Sequence, residues 1–161
     1  MTVGSANAGR IRFNDLQYRK DAEFIVRVDI AKGEIILCLD QDVDAIGGFY
    51  SGECLVGMEI HQAVVLIRLL QKAVGRLPES GQGPSMIGKV AFKWSDPGAP
   101  GSEDSGITVV ASSGRVILGI SPGEKSLADA YLATFSYMTG EDLVATLSRG
   151  VFALDTRRDA A

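Results

Sequence analysis

The segment FIVRVDIAKGEIILCL, residues 24–39, reads as two strands and the turn between them. Phe24, Val26, Val28 and Ile30 share one face and Ile25, Arg27 and Asp29 the other, the period of two that sends alternate side chains to opposite sides of a half-buried strand. Lys32 and Gly33 interrupt that pattern with a turn. Glu34 to Leu39 is then almost wholly apolar, which suits a strand covered on both faces and central in its sheet. Two such runs joined by so short a turn form a hairpin, and a hairpin here argues for an antiparallel sheet.

Upstream, Ile11 and Phe13 alternate with Arg12 and Asn14, a weaker strand signal, and residues 1–10 read as a flexible end. Downstream, Asp40 to Gly57 reads as a loop, with alternating aspartates and then a run of glycines. Met58 to about Val74 contains neither Gly nor Pro. On a helical wheel His61, Arg68, Gln71, Lys72 and Arg76 fall on one arc, opposite Ile60, Val64, Ile67, Leu70 and Val74, so a helix with a narrow polar stripe is expected. Gly75 and Pro78 stop it.

Met86, Gly88, Val90, Phe92 and Trp94 alternate with Ile87, Lys89, Ala91 and Lys93, which predicts one strand with an apolar face and a face carrying two lysines. Residues 95–106, rich in Pro, Gly and acids, read as a mobile loop. Ile107–Ala111 and Val116–Ile120 flank Ser112–Arg115 as a second hairpin. Ser121, Pro122 and Glu124 have the form of a capping box, and Leu127, Tyr131, Phe135 and Met138 are spaced as a helical stripe, so a helix is expected from Ser121. Thr139 and Asp142 open a shorter helix through Leu143, Val144 and Leu147 to Gly150, after which Val151–Leu154 docks or adds an edge strand and residues 156–161 are loose. No internal repeat is visible.

The expected order is ββαβββαα: an α+β two-layer domain over residues 1–161, a mainly antiparallel sheet of about five strands covered by helices. In outline this resembles roadblock-like or profilin-like modules, without a motif specific to either.

The 161 residues are 46% hydrophobic and 22% charged, which suits an ordinary globular chain and rules out disordered, collagen-like and coiled-coil classes. A net charge of -4 argues against non-specific binding to nucleic acid or anionic membranes. The longest apolar run, Val64–Leu70, is broken by Arg68 and is far short of the ~20 residues a membrane helix needs. Two cysteines, Cys38 and Cys54, are too few for a disulfide framework, and with no signal-peptide pattern at the N-terminus a cytoplasmic location is expected. Arg exceeds Lys and Ala, Gly and Val abound, a bias of bacterial or phage coding sequence.

Chemistry-bearing residues are sparse. His61 is the one histidine, and with Arg68, Lys72 and Arg76 it forms a basic ridge suited to an acidic partner; the plainer role is a solvated helix face. Asp40, Asp42 and Asp44 resemble the first ligands of a calcium loop, but Ala45 stands where Gly is needed and Ser51 where the bidentate Glu belongs, so they are weak metal candidates. Gly47, Gly48 and Gly52 surround Phe49 and Tyr50, aromatic residues able to contact a protein partner or to plug one end of the sheet. No cysteine and histidine set fits zinc, no glycine pattern fits a nucleotide loop, and no catalytic residues or cofactor are nominated. A mean hydropathy of +0.15 suggests apolar surface buried between chains. The expected function is a non-catalytic protein-interaction domain, adaptor-, chaperone- or immunity-like, whose partners include a second copy of itself. The alternative is a small-molecule or divalent-cation site at the Asp40–Glu53 loop.

Overall fold

The computed structural model describes residues 5–41, 52–75, 85–95, 106–112, 114–121 and 131–160. The elements are β1 (Ser5–Asn14), β2 (Asp21–Asp29), β3 (Glu34–Gln41), β4 (Gly52–Met58), α1 (Ile60–Val74), β5 (Ser85–Val90), β6 (Trp94–Ser95), β7 (Gly106–Ser112), β8 (Arg115–Ser121), β9 (Tyr131–Ser136) and α2 (Tyr137–Ala160). The class is α+β, but with two antiparallel sheets in place of one: β1-β2-β3-β4-β6 and β5-β7-β8-β9.

The hairpin at residues 24–39 forms as read, with Phe24 opposite Leu39 and Val28 opposite Ile35. Both strands turn the same alternate residues inward: Phe24, Val26, Val28, Ile35, Leu37 and Leu39 are all buried. Its turn needs Gly33 at φ +67°, and the β7–β8 hairpin needs Gly114 at φ +82°, backbone conformations that side chains resist.

Those two glycines mark an internal repeat that the sequence reading missed. Each half of the chain is a four-stranded meander followed by a helix: β1–β4 with α1, then β5, β7, β8 and β9 with α2. From Cys54 to Val74 and from Tyr131 to Val151 the halves align without a gap, 77 residues apart. The buried positions Ala63, Leu66, Ile67, Leu70 and Ala73 of α1 correspond to Gly140, Leu143, Val144, Leu147 and Gly150 of α2. Each helix lies mainly on the other half's sheet, α1 on β5 and β7 and α2 on β1 and β2. Each first strand carries a bulge, at Ala8 in β1 and Ile87 in β5, and the glycine after it faces the crossing helix: Gly9 meets Thr146, Gly88 meets Leu69. Thr146 and Leu69 are themselves equivalent positions.

The halves also clasp each other's outermost strands. Leu16 N–H donates to the Thr134 carbonyl of β9 (2.9 Å), and Lys93 N–H donates to the Gly57 carbonyl of β4 (2.8 Å). Thr134 and Gly57 are equivalent as well. A buried carboxylate holds each clasp. Asp15 accepts from Thr134 N–H (3.1 Å) and from Gln17 and Tyr18 N–H (2.9 Å each). Glu34 accepts from the Trp94 indole (2.8 Å) and pairs with Lys93 Nζ (3.2 Å). Gly57 lets the indole lie on the strand, since a Cβ there would fall inside the ring. The two halves share one buried cluster, in which Phe13 stacks on Phe24 (4.9 Å between centroids) and Phe135 meets both rings edge-on.

Several expectations are overturned. The helix expected from Ser121 to Met138 does not form across 131–136, which is strand β9; the inward residues Tyr131, Ala133 and Phe135 share a strand face as readily as two of them share a helical one. Helix α2 does not stop at Gly150 but runs through Val151–Leu154 to Ala160, and residues 5–10 belong to β1 rather than to a loose end. Part of the Asp40–Gly57 loop is β4. The strand expected from Met86 to Trp94 breaks after Val90, and the chain crosses to the other sheet, so Lys93 and Trp94 meet the same Glu34 instead of facing opposite ways. The bulge leaves Met86 64% exposed. Cys38 and Cys54 are both buried but lie opposite Leu55 and Leu39 on different faces of their sheet, so no disulfide joins them.

Candidate functional site

Helix α1 begins at Glu59, whose backbone N–H donates to Gln62 Oε1 (2.9 Å) and whose carbonyl accepts from Ala63 N–H. This start fixes the wheel. Ala63, Leu66, Ile67, Leu70 and Ala73 turn inward, leaving His61, Val65, Arg68 and Lys72 on one exposed arc at steps of four, three and four. The polar stripe expected from the sequence is therefore the wet face of α1, with Val65 set into it at 38% exposure. Lys72 sits in the last helical turn, where the helix dipole favours a cation.

A groove of about 950 Å³ runs along this arc. Ile60, Val64 and Val65 give it apolar lining, and the β2–β3 turn from Ile30 to Gly33, Glu59, Lys93 and Asp155 line it as well. His61 Nδ1 is 3.3 Å from Glu59 Oε2, an ion pair whenever the imidazole is protonated, and Lys93 is held by Glu34. Lys32, Arg68 and Lys72 make no ion pair among the described residues. The groove thus combines apolar surface with an excess of basic groups, Lys32, His61, Arg68 and Lys93 against Glu59 and Asp155.

A second groove, of about 520 Å³, lies at the far end of the first sheet between Arg12, Asp21, Glu23 and Asp40. Arg10 and Arg12 both approach Glu23, at 3.5 and 3.3 Å, so this charge is largely matched within the chain. Among the described residues no three side chains are placed to hold a metal ion.

Of the residues nominated from sequence, the fold brings His61 and Arg68 into one groove with Lys72 just beyond it. Asp40 is exposed at the end of β3, remote in sequence from that groove and part of the second one. Arg76, Asp42, Asp44, Phe49 and Tyr50 lie outside the described residues. Sequence reasoning missed Lys32, Lys93 and Asp155, which three other elements carry to the α1 arc; no local pattern marks them. It also placed Val64 with the core, whereas Val64 lines the groove. Among the described residues no helix is long and apolar enough to cross a membrane. No family model and no curated protein matches the chain.

Proposed function

We propose that this chain is a non-catalytic protein-interaction domain of the cytoplasm that binds an acidic, partly apolar segment of a partner along the exposed arc of α1. The observation that carries the reading is the composition of the arc. Val65 and the neighbouring Ile60 and Val64 offer apolar surface, and Lys32, Arg68 and Lys72 stand beside it in no ion pair among the described residues, outnumbering Asp155, the unpaired acid of the groove. A segment alternating acids and aliphatic residues satisfies both features at once, with the charges steering approach and the apolar flank supplying the buried contact.

The test is fluorescence anisotropy with two labelled amphipathic peptides, one of Glu and Leu and one of Lys and Leu. The Glu/Leu peptide is expected to bind and the Lys/Leu peptide not to; Arg68→Glu is expected to weaken the former by on the order of tenfold. Preference for the basic peptide, or binding indifferent to Arg68→Glu, overturns the reading.

A further inference from the structure

The pseudo-equivalence of the two helices makes their wet faces directly comparable. On α2, Met138, Glu141, Asp142, Ala145, Ser148, Arg149 and Phe152 are all exposed and fall on one stripe. Met138 is 77% exposed and Phe152 72%, the two most exposed large hydrophobic side chains among the described residues. They stand at the two ends of the stripe, and the acids Glu141 and Asp142 sit beside Met138. Arg149 is the one base on the stripe, and its guanidinium is engaged within the chain by Thr146 Oγ1 (3.1 Å) and the Ala8 carbonyl (3.4 Å). The α1 arc has the opposite character: Arg68, Lys72 and His61 around Val65. One molecule therefore carries a basic apolar stripe and an acidic apolar stripe of similar length on two equivalent helices.

We infer that the partner of the α1 arc is a second copy of this chain, which docks the α2 stripe Met138–Phe152 against it. The inference rests on the reading above and names the occupant. Glu141 and Asp142 of one copy meet Arg68 and Lys72 of the next, while Met138 enters the apolar groove floored by Val64 and Val65. Because the two stripes differ, α1 of one copy meets α2 of the other, and since α1 and α2 are neighbours in the fold the pairing is satisfied either twice about a two-fold axis or head-to-tail. An isologous contact of α1 on α1 would oppose like charges and is disfavoured.

Charge exchange tests this. In light scattering over a concentration series the full chain is expected to gain mass with concentration. Arg68→Glu with Lys72→Glu, and separately Glu141→Lys with Asp142→Lys, should each weaken association by on the order of tenfold, with unchanged circular dichroism. Mixing the two variants should restore it, since each then offers the stripe the other lacks. A monomer at every concentration, association untouched by either reversal, or no recovery in the mixture overturns the inference. The peptide experiment separates the two ideas: if the Glu/Leu peptide binds while the chain stays monomeric, the acidic-partner reading stands and self-docking falls; if the peptide also fails, both fall.

Discussion

The two halves of the molecule share a plan and differ in how tightly each is fastened. Asp15, 1% exposed, spends both carboxylate oxygens on three backbone N–H groups, so the clasp on β9 is built into the main chain. Glu34 holds the clasp on β4 through an indole and a lysine that remains 45% exposed, so this one depends on side chains. The same difference recurs in the helices. Where α1 has Ala63 and Ala73 facing inward, α2 has Gly140 and Gly150, at some cost in intrinsic helix propensity; only Gly140, where a Cβ would meet Val74 Cγ2 at 2.7 Å, is required by a close approach. The two clasps are equivalent, but the carboxylates that hold them come from different positions of the repeat, Asp15 after β1 and Glu34 at the start of β3, and substitution at each reads out its share.

The largest effect is expected at Asp15→Ala, which leaves Thr134, Gln17 and Tyr18 N–H groups without their acceptor and should cost about 3 kcal/mol or more in urea denaturation. Glu34→Ala should cost less, about 2 kcal/mol, because Lys93 can turn to water while only the indole N–H is stranded. Equal losses at the two sites would break the proposed asymmetry. Hydrogen exchange sharpens it: Asp15→Ala should speed exchange at Leu16 and Thr134, and Glu34→Ala at Lys93, each leaving the other clasp protected. Gly140→Ala should lose about 1 kcal/mol, since its Cβ would meet Val74 Cγ2 at 2.7 Å, which outweighs the gain in helix propensity. Gly150→Ala should gain up to about 1 kcal/mol, because its nearest neighbours, in Val26, Val28 and Ala8, are 3.4–3.6 Å away and tolerate the methyl with little movement. A loss at Gly150 comparable with that at Gly140 would show that α2 is packed to its limit along its whole length.

The parts of this fold that the sequence makes legible are those fixed by local periodicity. Residues 24–39 alternate cleanly and form the hairpin; residues 58–74 lack breakers and form α1, with the polar arc where the wheel puts it. What stays hidden is set by distant contacts. Strand β4 reads as loop because Gly57 is there to receive Trp94, 37 residues later, and that reason is invisible from either residue alone. Tyr131 and Phe135, four apart, satisfy a strand face and a helix face equally, and the capping residues just upstream tip the reading toward the helix. The duplication escapes notice because, over the gapless stretch, only Leu55/Leu132, Leu66/Leu143, Leu70/Leu147 and Val74/Val151 are identical. The site follows the same rule. His61, Arg68 and Lys72 are legible as one helical stripe, while Lys32, Lys93 and Asp155 join them only through the crossing of the two halves.

That crossing has a consequence for biosynthesis. The inner face of β1 and β2, with Phe13, Phe24, Val26 and Val28, is covered chiefly by a helix that begins at Tyr137. On the ribosome these strands therefore emerge long before their lid exists, and a bare greasy surface waits through the translation of about a hundred further codons, several seconds at ordinary elongation rates. The first sheet can therefore be covered as it is in the finished fold only once the last helix has been released.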